Sequence, residues 1–349
     1  MLKKLSLFNF RNHTDSVFDF TERKVVFCGN NGRGKTNILE AISVLSTGKS
    51  WREKKGLDLI EYEKEEALIK AVISNDSYEY LLTPRSRTLK RNEKKKSLKS
   101  HLGSFPSLLF APEHLHIFHG TKTERQKFFD RFLSQMYPSY REALSKAQKA
   151  ARQKSSLLRS QAPGEIISQE FLIPWNTILS ETIPIVWDIR AQFLEDTKEL
   201  LQEELSKVAG NNDDIEIALQ SPEDFVPTTE GVLHFFEANM DRERYARKNL
   251  LAPSRDDFVF FLRNKPILST ASRGEERSVL LGLLSAQKKY LQNICNMSPI
   301  LLLDDSFSEL DDDRQSHLER LCENSQTFFT TTHEDHFSGF SGEVQKFQI

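Results

Sequence analysis

The chain has 349 residues, a formal net charge of −2 at pH 7 and three cysteines without metal-like spacing. The charge balance excludes a protein that is polycationic throughout, so any contact with nucleic acid must come from a local basic patch. No apolar run reaches the roughly 18 residues of a membrane span, and the cysteine usage favours a reduced, cytoplasmic protein with no membrane partner.

The chain begins with two predicted strands and the turn between them. Residues 5–10 alternate for the most part between apolar and polar, a second strand is expected at residues 16–20, and Arg11 and His13 lie in the turn. The simplest interpretation makes both of them solvated turn residues. Arg11 is also a candidate ligand of a nucleotide.

A phosphate-binding pattern follows the second strand. Residues 29–36, G-N-N-G-R-G-K-T, fit G-x-x-x-x-G-K-[ST], and the apolar run Lys24–Cys28 before them predicts a buried strand. Apolar residues at helical spacing come after the pattern and predict a helix. Strand, glycine loop and helix together favour a nucleotide site over an ordinary glycine turn.

The residue types of this loop suit the binding of ATP with Mg²⁺. Its glycines allow several backbone N–H groups to converge on phosphate oxygens, and the helix N-terminus adds partial positive charge. Lys35 is expected to reach the β- and γ-phosphates and to act in catalysis, and the Thr36 hydroxyl is expected to bind Mg²⁺. The predicted nucleotide-binding residues of the loop are Asn30, Asn31, Gly32, Arg33, Gly34, Lys35 and Thr36.

Two further predicted strands, at residues 67–73 and 78–82, lead into the most basic part of the chain. Residues 85–99 carry eight lysines or arginines and a single acidic residue, Glu93. A hairpin whose lysines keep a sheet edge soluble and a surface that follows the phosphates of a duplex are both consistent with this composition. The residues predicted to bind DNA are Arg91, Lys94, Lys95 and Lys96.

The middle of the chain is predicted to be mainly helical. One helical stretch runs from about residue 123 to residue 158, and its basic face between Arg141 and Arg159 is a second candidate for duplex contact. Another stretch covers residues 171–208. Pro174 and Pro184 are expected to interrupt it, because proline breaks the helical hydrogen-bond ladder.

The C-terminal part brings a capping box and a buried strand. Ser272 and Glu275 are spaced as a capping box for a helix that is expected to reach about Gln292. The apolar run at residues 299–303 predicts a strand of a parallel sheet that is buried on both faces. A helix opened by three aspartates and a last strand at residues 327–332 follow.

Carboxylates at the end of that buried strand match the needs of a phosphate loop. Such a loop requires an aspartate there for Mg²⁺, so Asp304 is predicted as a metal ligand and Asp305 as the catalytic group that orients or deprotonates water. His333 is predicted to sense the γ-phosphate. The long separation of the two motifs favours an ATPase core that is interrupted by a large insertion.

Together these motifs resemble the RecF family, bacterial recombination mediators related to the SMC and ABC-type ATPases. The resemblance covers the chain from end to end. The motifs that carry it are N-F-R-N at residues 9–12, G-N-N-G-R-G-K-T-N-I-L-E-A-I at 29–42, T-G-K-S at 47–50, R-D-D at 255–257, S-R-G-E-E-R at 272–277 and L-L-D-D-S-F-S-E-L-D at 302–311.

This resemblance implies an α/β fold with an ABC/SMC-type P-loop ATPase head and an inserted helical arm lobe. We expect residues 1–110 and 250–349 to form the ATPase lobe and residues 111–249 the arm. The family pattern implies slow ATP hydrolysis and an ATP-dependent homodimer, in which each phosphate loop faces the signature of the other subunit. It adds Ser272, Gly274 and Asp311 to the nucleotide-binding residues.

The expected partners follow from the same resemblance. They are duplex and gapped DNA, bound at junctions of double and single strand, and RecR-like and RecO-like mediators that help to load a recombinase. Glu275 and Glu276 stand where the signature usually carries Gln, which predicts a weaker ATP-driven dimer, and Ser254 stands where His is typical. A transporter ATPase subunit, a P-loop phosphotransferase that does not act on DNA, and a nuclease with the same head are the alternatives.

Overall fold

The computed structural model describes residues 1–52, 56–160, 167–210, 213–306, 310–332 and 343–349. The chain forms two compact units. The first unit contains Met1–Leu115, Glu204–Asn211 and Arg277–Ile349, and the second contains His116–Glu203 and Asn212–Glu276. Among the described helices, none combines the length and the apolar character that crossing a bilayer requires.

Strands dominate both ends of the chain and helices its middle. The strands are β1 (Leu2–Phe10), β2 (His13–Asp19), β3 (Lys24–Cys28), β4 (Ala67–Ile73), β5 (Asp76–Leu82), β6 (Arg87–Arg91), β7 (Lys94–Lys96), β8 (Ser107–Phe110), β9 (Ile215–Gln220), β10 (Asp257–Leu262), β11 (Lys265–Pro266), β12 (Ile300–Leu303), β13 (Thr327–Thr331) and β14 (Val344–Gln348). The helices are α1 (Lys35–Thr47), α2 (Leu98–His101), α3 (His116–His119), α4 (Lys122–Met136), α5 (Pro138–Arg159), α6 (Gln169–Ala209), α7 (Thr229–Ala238), α8 (Met240–Ala246), α9 (Ile267–Thr270), α10 (Arg273–Cys295) and α11 (Asp312–Leu321).

A five-stranded parallel sheet lies in the first unit, in the order β14-β3-β13-β12-β8. Val25, Phe27 and Leu302 on its central strands are fully buried, as expected where both faces of a parallel sheet are covered. The predicted strands before the phosphate loop and before Asp304 are therefore confirmed. Because the strands are parallel, their carboxyl ends share one edge of the sheet.

A second, antiparallel sheet of the first unit has the order β2-β1-β4-β5-β6-β7. Leu5, Leu7, Ile69 and Tyr80 are buried in one core cluster with residues of the parallel sheet and of α1, while the residues that alternate with the buried ones along β4 and β5 are half-buried or exposed. This alternation is typical of a sheet with one solvated face. The basic segment forms the hairpin β6–β7 at the edge of this sheet.

The second unit contains α4, α5, most of α6 and the three-stranded sheet β11-β10-β9. The predicted interruption of α6 is wrong, since one helix runs through Pro174 and Pro184. Each proline removes only one backbone hydrogen bond. A stripe of buried residues at helical spacing continues past both prolines, so packing outweighs those losses; it includes Leu172, Leu179, Ile183, Val186, Arg190 and Phe193.

The helical stretch predicted at residues 123–158 is two helices instead of one. α4 ends at Met136 and α5 begins at Pro138. Proline suits the first position of a helix, where its missing N–H would have no intrahelical partner. The capping box predicted for α10 is confirmed: the N–H of Ser272 donates to Glu275 Oε2 at 2.7 Å, and the N–H of Glu275 donates to Ser272 Oγ at 3.3 Å.

Candidate nucleotide-binding site

The phosphate loop connects β3 to α1 and is fixed by the turn between β1 and β2. Gly34 has a φ of +103°, in the left-handed region that favours glycine. A Cβ at this position would lie 2.5 Å from Asn12 Oδ1 and 2.8 Å from His13 Nε2. His13 Nε2 in turn contacts the Gly34 carbonyl at 3.1 Å, and burial lowers the pKa of His13.

The backbone N–H groups of this loop are free to bind an anion. Asn30, Asn31, Gly32 and Arg33 are exposed. In the described part of the chain, no residue accepts a hydrogen bond from the N–H groups of residues 32–36. These donors lie at the N-terminus of α1, where the helix dipole adds positive charge. The loop therefore fits a phosphate group.

Lys35 is buried and its ammonium group lies inside the loop. Its Nζ donates to the carbonyls of Gly29 at 2.7 Å and Asn30 at 2.9 Å. Burial lowers the pKa of Lys35, and the charges of Asp305 and Asp304 act in the opposite direction. The cation is thus held between the phosphate loop and the carboxylates at the end of β12.

Thr36 and Asp304 lie together, as the sequence motifs predict. The Thr36 hydroxyl donates to Asp304 Oδ1 at 2.8 Å, and the Thr330 hydroxyl donates to the same oxygen at 2.6 Å. Burial raises the pKa of Asp304, and these two hydrogen bonds oppose that rise. Adjacent oxygen ligands of an octahedral Mg²⁺ lie about 3 Å apart, so the Thr36 and Asp304 oxygens fit such an ion.

Asp305 occupies an uncommon backbone conformation beside this pair. Its φ is +42°, in the left-handed region that non-glycine residues rarely adopt. The N–H of Asp305 donates to the Thr330 hydroxyl at 2.9 Å, which holds the turn at the end of β12. Strained residues of this kind are enriched at functional sites.

Arg11 is engaged by a buried carboxylate on the other side of the loop helix. Its Nε and Nη2 donate to the two oxygens of Glu40 at 3.0 and 2.6 Å. The Ser50 hydroxyl donates to Glu40 as well. The side chain of Glu40 is fully buried and that of Arg11 is 20% exposed, so the pair ties the β1–β2 turn to α1.

Comparison with known proteins decides the family. The family model described as the RecF/RecN/SMC N-terminal domain matches residues 1–346. The chain is 32% identical, over 357 residues, to the DNA replication and repair protein RecF of Streptococcus suis, and the match covers 100% of this chain and 97% of that protein. This chain belongs to the RecF family.

Solved structures agree with this assignment. The recombination mediator protein RecF-ATP of the RecFOR pathway matches with a TM-score of 0.87 and 26% identity, covering 99% of this chain and 95% of that one. An Smc head domain of Pyrococcus furiosus, at 15% identity, matches with a TM-score of 0.54 over 99% of this chain and 92% of its own. The predicted α/β fold with an ABC/SMC-type ATPase head is confirmed.

The other expected RecF-type nucleotide ligands lie at helix starts. Ser272 caps α10, and Gly274 lies in its first turn. Asp311 caps α11 by accepting a hydrogen bond from the Arg314 N–H at 3.1 Å, and it also pairs with the Arg314 side chain. His333 lies outside the described residues.

The residues predicted to bind DNA lie on the β6–β7 hairpin. Lys94, Lys95 and Lys96 are exposed, whereas Arg91 pairs with Asp76 at 2.6 Å. The hairpin places Lys95 opposite Lys90, and Lys94 opposite Arg91. Cross-strand pairs of like charge are unfavourable unless another charge compensates them.

Several residues around the phosphate loop and Asp304 were not assigned from the sequence. The parallel register pairs Leu303 of β12 with Phe329 of β13. The residue that follows each of them, Asp304 and Thr330, therefore lies beside the other, which explains their contact. The sequence feature that could have indicated Thr330 is a polar residue within an otherwise apolar, buried strand. Glu40 and Asn12 were overlooked as well, although both lie within the quoted motifs.

Proposed function

We propose that this chain is an ATP-dependent recombination mediator that dimerises on ATP and binds duplex and gapped DNA. The observation that carries this proposal is the 2.8 Å contact between Thr36 and Asp304 beside a loop of N–H groups without partners. The named role of the relative and of the matched structure in DNA repair and recombination supports it. RecR-like and RecO-like proteins are the proposed partners.

The proposed ATP site uses the loop residues in distinct roles. The N–H groups of Gly32 to Thr36 would hold phosphate oxygens, Lys35 would neutralise their charge, and Thr36 and Asp304 would hold Mg²⁺. Bound there, Mg²⁺ would stabilise the negative charge of the phosphates. Asp305 accepts a proton from the attacking water, which makes the protein a slow ATPase. Arg11, Asp311 and His333 remain predicted contributors to the site.

The proposed dimer contact is the N-terminus of α10. The Ser272 hydroxyl oxygen accepts a hydrogen bond from the backbone N–H of Glu275, so the hydroxyl proton is available to a γ-phosphate bound by the partner subunit. The two glutamates that depart from the family pattern have local partners. Glu275 pairs with Arg263 at 2.8 Å, and Glu276 contacts His119 at 2.7 Å. These partners reduce the repulsion that two free carboxylates would exert on a phosphate.

The proposed DNA surface is the β6–β7 hairpin. Lys90 and Arg91 are paired with Glu79 and Asp76, but no ion pair compensates Lys94, Lys95 or Lys96 within the residues that the structure describes. Three adjacent cations at the edge of a sheet suit a duplex backbone, which carries one negative charge per ~1.7 Å of axis.

The molar mass in solution tests the proposal directly. Light scattering should show a monomer without nucleotide and with ADP, and a dimer with ATP-Mg²⁺, and gapped DNA should favour the dimer. Lys35→Ala removes a charged phosphate contact, which should weaken ATP binding by about 100-fold. Ser272→Ala should leave ATP binding intact but prevent the dimer.

A matched variant separates the interface from a general effect. Ser269→Ala changes an exposed serine on the neighbouring helix α9, and we expect it to dimerise like the wild type. A mass that does not respond to ATP would contradict the proposed dimer. ATP turnover that requires a small phosphate acceptor and ignores DNA would favour a phosphotransferase instead.

A further inference from the structure

A basic cavity lies in the second unit. It has a volume of about 610 Å³ and is lined by α4, by α5 and by the segment Asn249–Arg255. Ligand sites for small molecules typically measure about 300–1,000 Å³. The cavity is therefore large enough for a nucleotide.

The charges around this cavity are strongly unbalanced. Its lining contains five cationic side chains and one carboxylate, Asp130, which is occupied by Arg190 at 2.8 Å. No ion pair links any of the five cations to an acidic group in the described ranges; they are Lys122, Lys127, Arg152, Arg159 and Arg255. Such a concentration of uncompensated charge attracts a polyanion.

The R-D-D motif at residues 255–257 produces part of this imbalance. Asp256 pairs with Arg190 at 2.9 Å, and Asp257 forms a bidentate ion pair with Arg125, with both N···O distances at 2.8 Å. Both carboxylates of the motif are thus used by buried or half-buried arginines. Arg255 is left to face the cavity, while its backbone carbonyl accepts a hydrogen bond from Lys122.

Asn249, one of the lining residues, carries a polar atom without a partner among the described residues. Asn249 is 2% exposed, and its Nδ2 donates to the Leu251 carbonyl at 2.9 Å. Its Oδ1 has no hydrogen-bond partner among the described residues, although it is buried. Leaving such a buried atom without a hydrogen bond is energetically unfavourable. A ligand that brings a hydroxyl or amino donor would recover this energy.

We infer that this cavity binds a phosphate ester, either as a free nucleotide or as a nucleotide unit of a strand. Arginine side chains match phosphate oxygens with paired N–H donors. A nucleotide also brings donors on its sugar and base for Asn249 Oδ1, which an acidic peptide side chain does not. The cavity lining contains no residue of the phosphate loop, so the inference does not depend on whether that loop binds ATP.

Binding of dTMP and of a labelled single-stranded dT hexamer tests this inference. Both titrations use the full chain carrying Lys35→Ala, so that the phosphate loop does not contribute and its failure is not confused with failure of the cavity. Arg152→Ala and Arg255→Ala should each weaken binding about tenfold. Asn249→Ala should weaken dTMP but leave inorganic pyrophosphate unchanged, because pyrophosphate offers no comparable donor.

Lys149→Ala is the matched control, because Lys149 is exposed on α5 but does not line the cavity. It should change the affinity less than about twofold. Thermal unfolding checks that each variant is folded. If the buried substitution Asn249→Ala unfolds the protein, Arg152→Ala still tests the inference, because Arg152 is exposed. Binding of dTMP identifies a free-nucleotide site, and binding of the hexamer alone identifies a strand site in the cavity if Arg152→Ala and Arg255→Ala weaken it. No binding of either probe, equal effects of Arg152→Ala and Lys149→Ala, or a preference for polyglutamate would overturn the inference.

Discussion

The phosphate loop and the cluster around Arg190 use polar groups in opposite ways. Arg190 is fully buried, and its guanidinium donates to Tyr140 Oη, the Pro253 carbonyl, Asp256 and Asp130 at 2.8–3.1 Å. The backbone N–H groups of residues 32–36 have no such partners within the described part of the chain. One region satisfies its donors within the chain, and the other leaves them for a ligand.

This difference separates a stabilising network from a binding site more clearly than charge does. Burial disfavours the Arg190 cation, but Asp130 and Asp256 outweigh it and raise the pKa of Arg190. A buried network that is completely satisfied holds its neighbours in one arrangement. The network joins α4, α5, α6 and the start of β10, so it is expected to stabilise the second unit and to bind nothing.

Replacement of Arg190 should have the largest effect. Arg190→Met leaves Asp130 and Asp256 buried without their cation, which should lower the free energy of unfolding by about 3–5 kcal/mol. Urea denaturation measures this change. The triple variant Arg190→Met, Asp130→Asn, Asp256→Asn should recover most of the loss, because it removes the uncompensated charges.

Arg125→Met is the control for the Arg190 variant. The Arg125–Asp257 pair is partly exposed, with 15% and 24% of the two side chains accessible, so the loss should be less than half as large. Equal losses of unfolding free energy in the two variants would show that neither the burial of the Arg190 cluster nor its complete set of hydrogen bonds adds to stability.

Charge reversal on the hairpin should have the next largest effect. Changing Lys94, Lys95 and Lys96 to Glu should weaken DNA binding about 100-fold at physiological salt and reduce the salt slope by about 2.7, because three phosphate contacts are lost. Fluorescence anisotropy across a salt series measures both quantities. These lysines are exposed, so the unfolding free energy should change little.

Single variants make the hairpin test sharper. Lys95→Glu should weaken binding, whereas Lys64→Glu, at another exposed lysine of the first unit, should not. An unchanged affinity in the triple variant would remove the hairpin from the DNA surface. The solvated sheet edge would then be the better interpretation of the basic segment.

The local parts of the fold and site were predictable from the sequence, and the parts set by tertiary contact were not. β3, the loop and α1 are consecutive, so their pattern is complete within one stretch of chain. The continuity of α6 through Pro184 depends on a buried stripe that only packing reveals. Likewise, Thr330 reaches Asp304 through the register of two strands, and no spacing within either strand encodes that contact.

His317 is intermediate between the Arg190 cluster, whose donors all have partners, and the phosphate loop, whose N–H groups have none among the described residues. Its Nε2 contacts the Ser285 hydroxyl at 3.0 Å, but its Nδ1 has no partner among the described residues. Burial lowers the pKa of His317 to about 4, against the opposing charge of Glu204, and the nearby cations Arg320, Lys207 and Lys289 lower it further. The native protein therefore keeps this ring neutral at pH 7.

Acidification should reveal His317 as the smallest of these effects. The unfolded chain takes up the proton near pH 6.5, while the native chain does so near pH 4, so stability that is present above pH 6.5 is lost as the pH falls between these values. Between pH 7 and pH 5 this should cost about 2 kcal/mol, because the ring is almost completely buried. Urea denaturation at both pH values should show that loss in the wild type and in the exposed control His234→Gln, but not in His317→Gln. An equal pH response in wild type and His317→Gln would mean that His317 takes up its proton with the same pKa in the native and the unfolded chain, so that its burial carries no energetic cost.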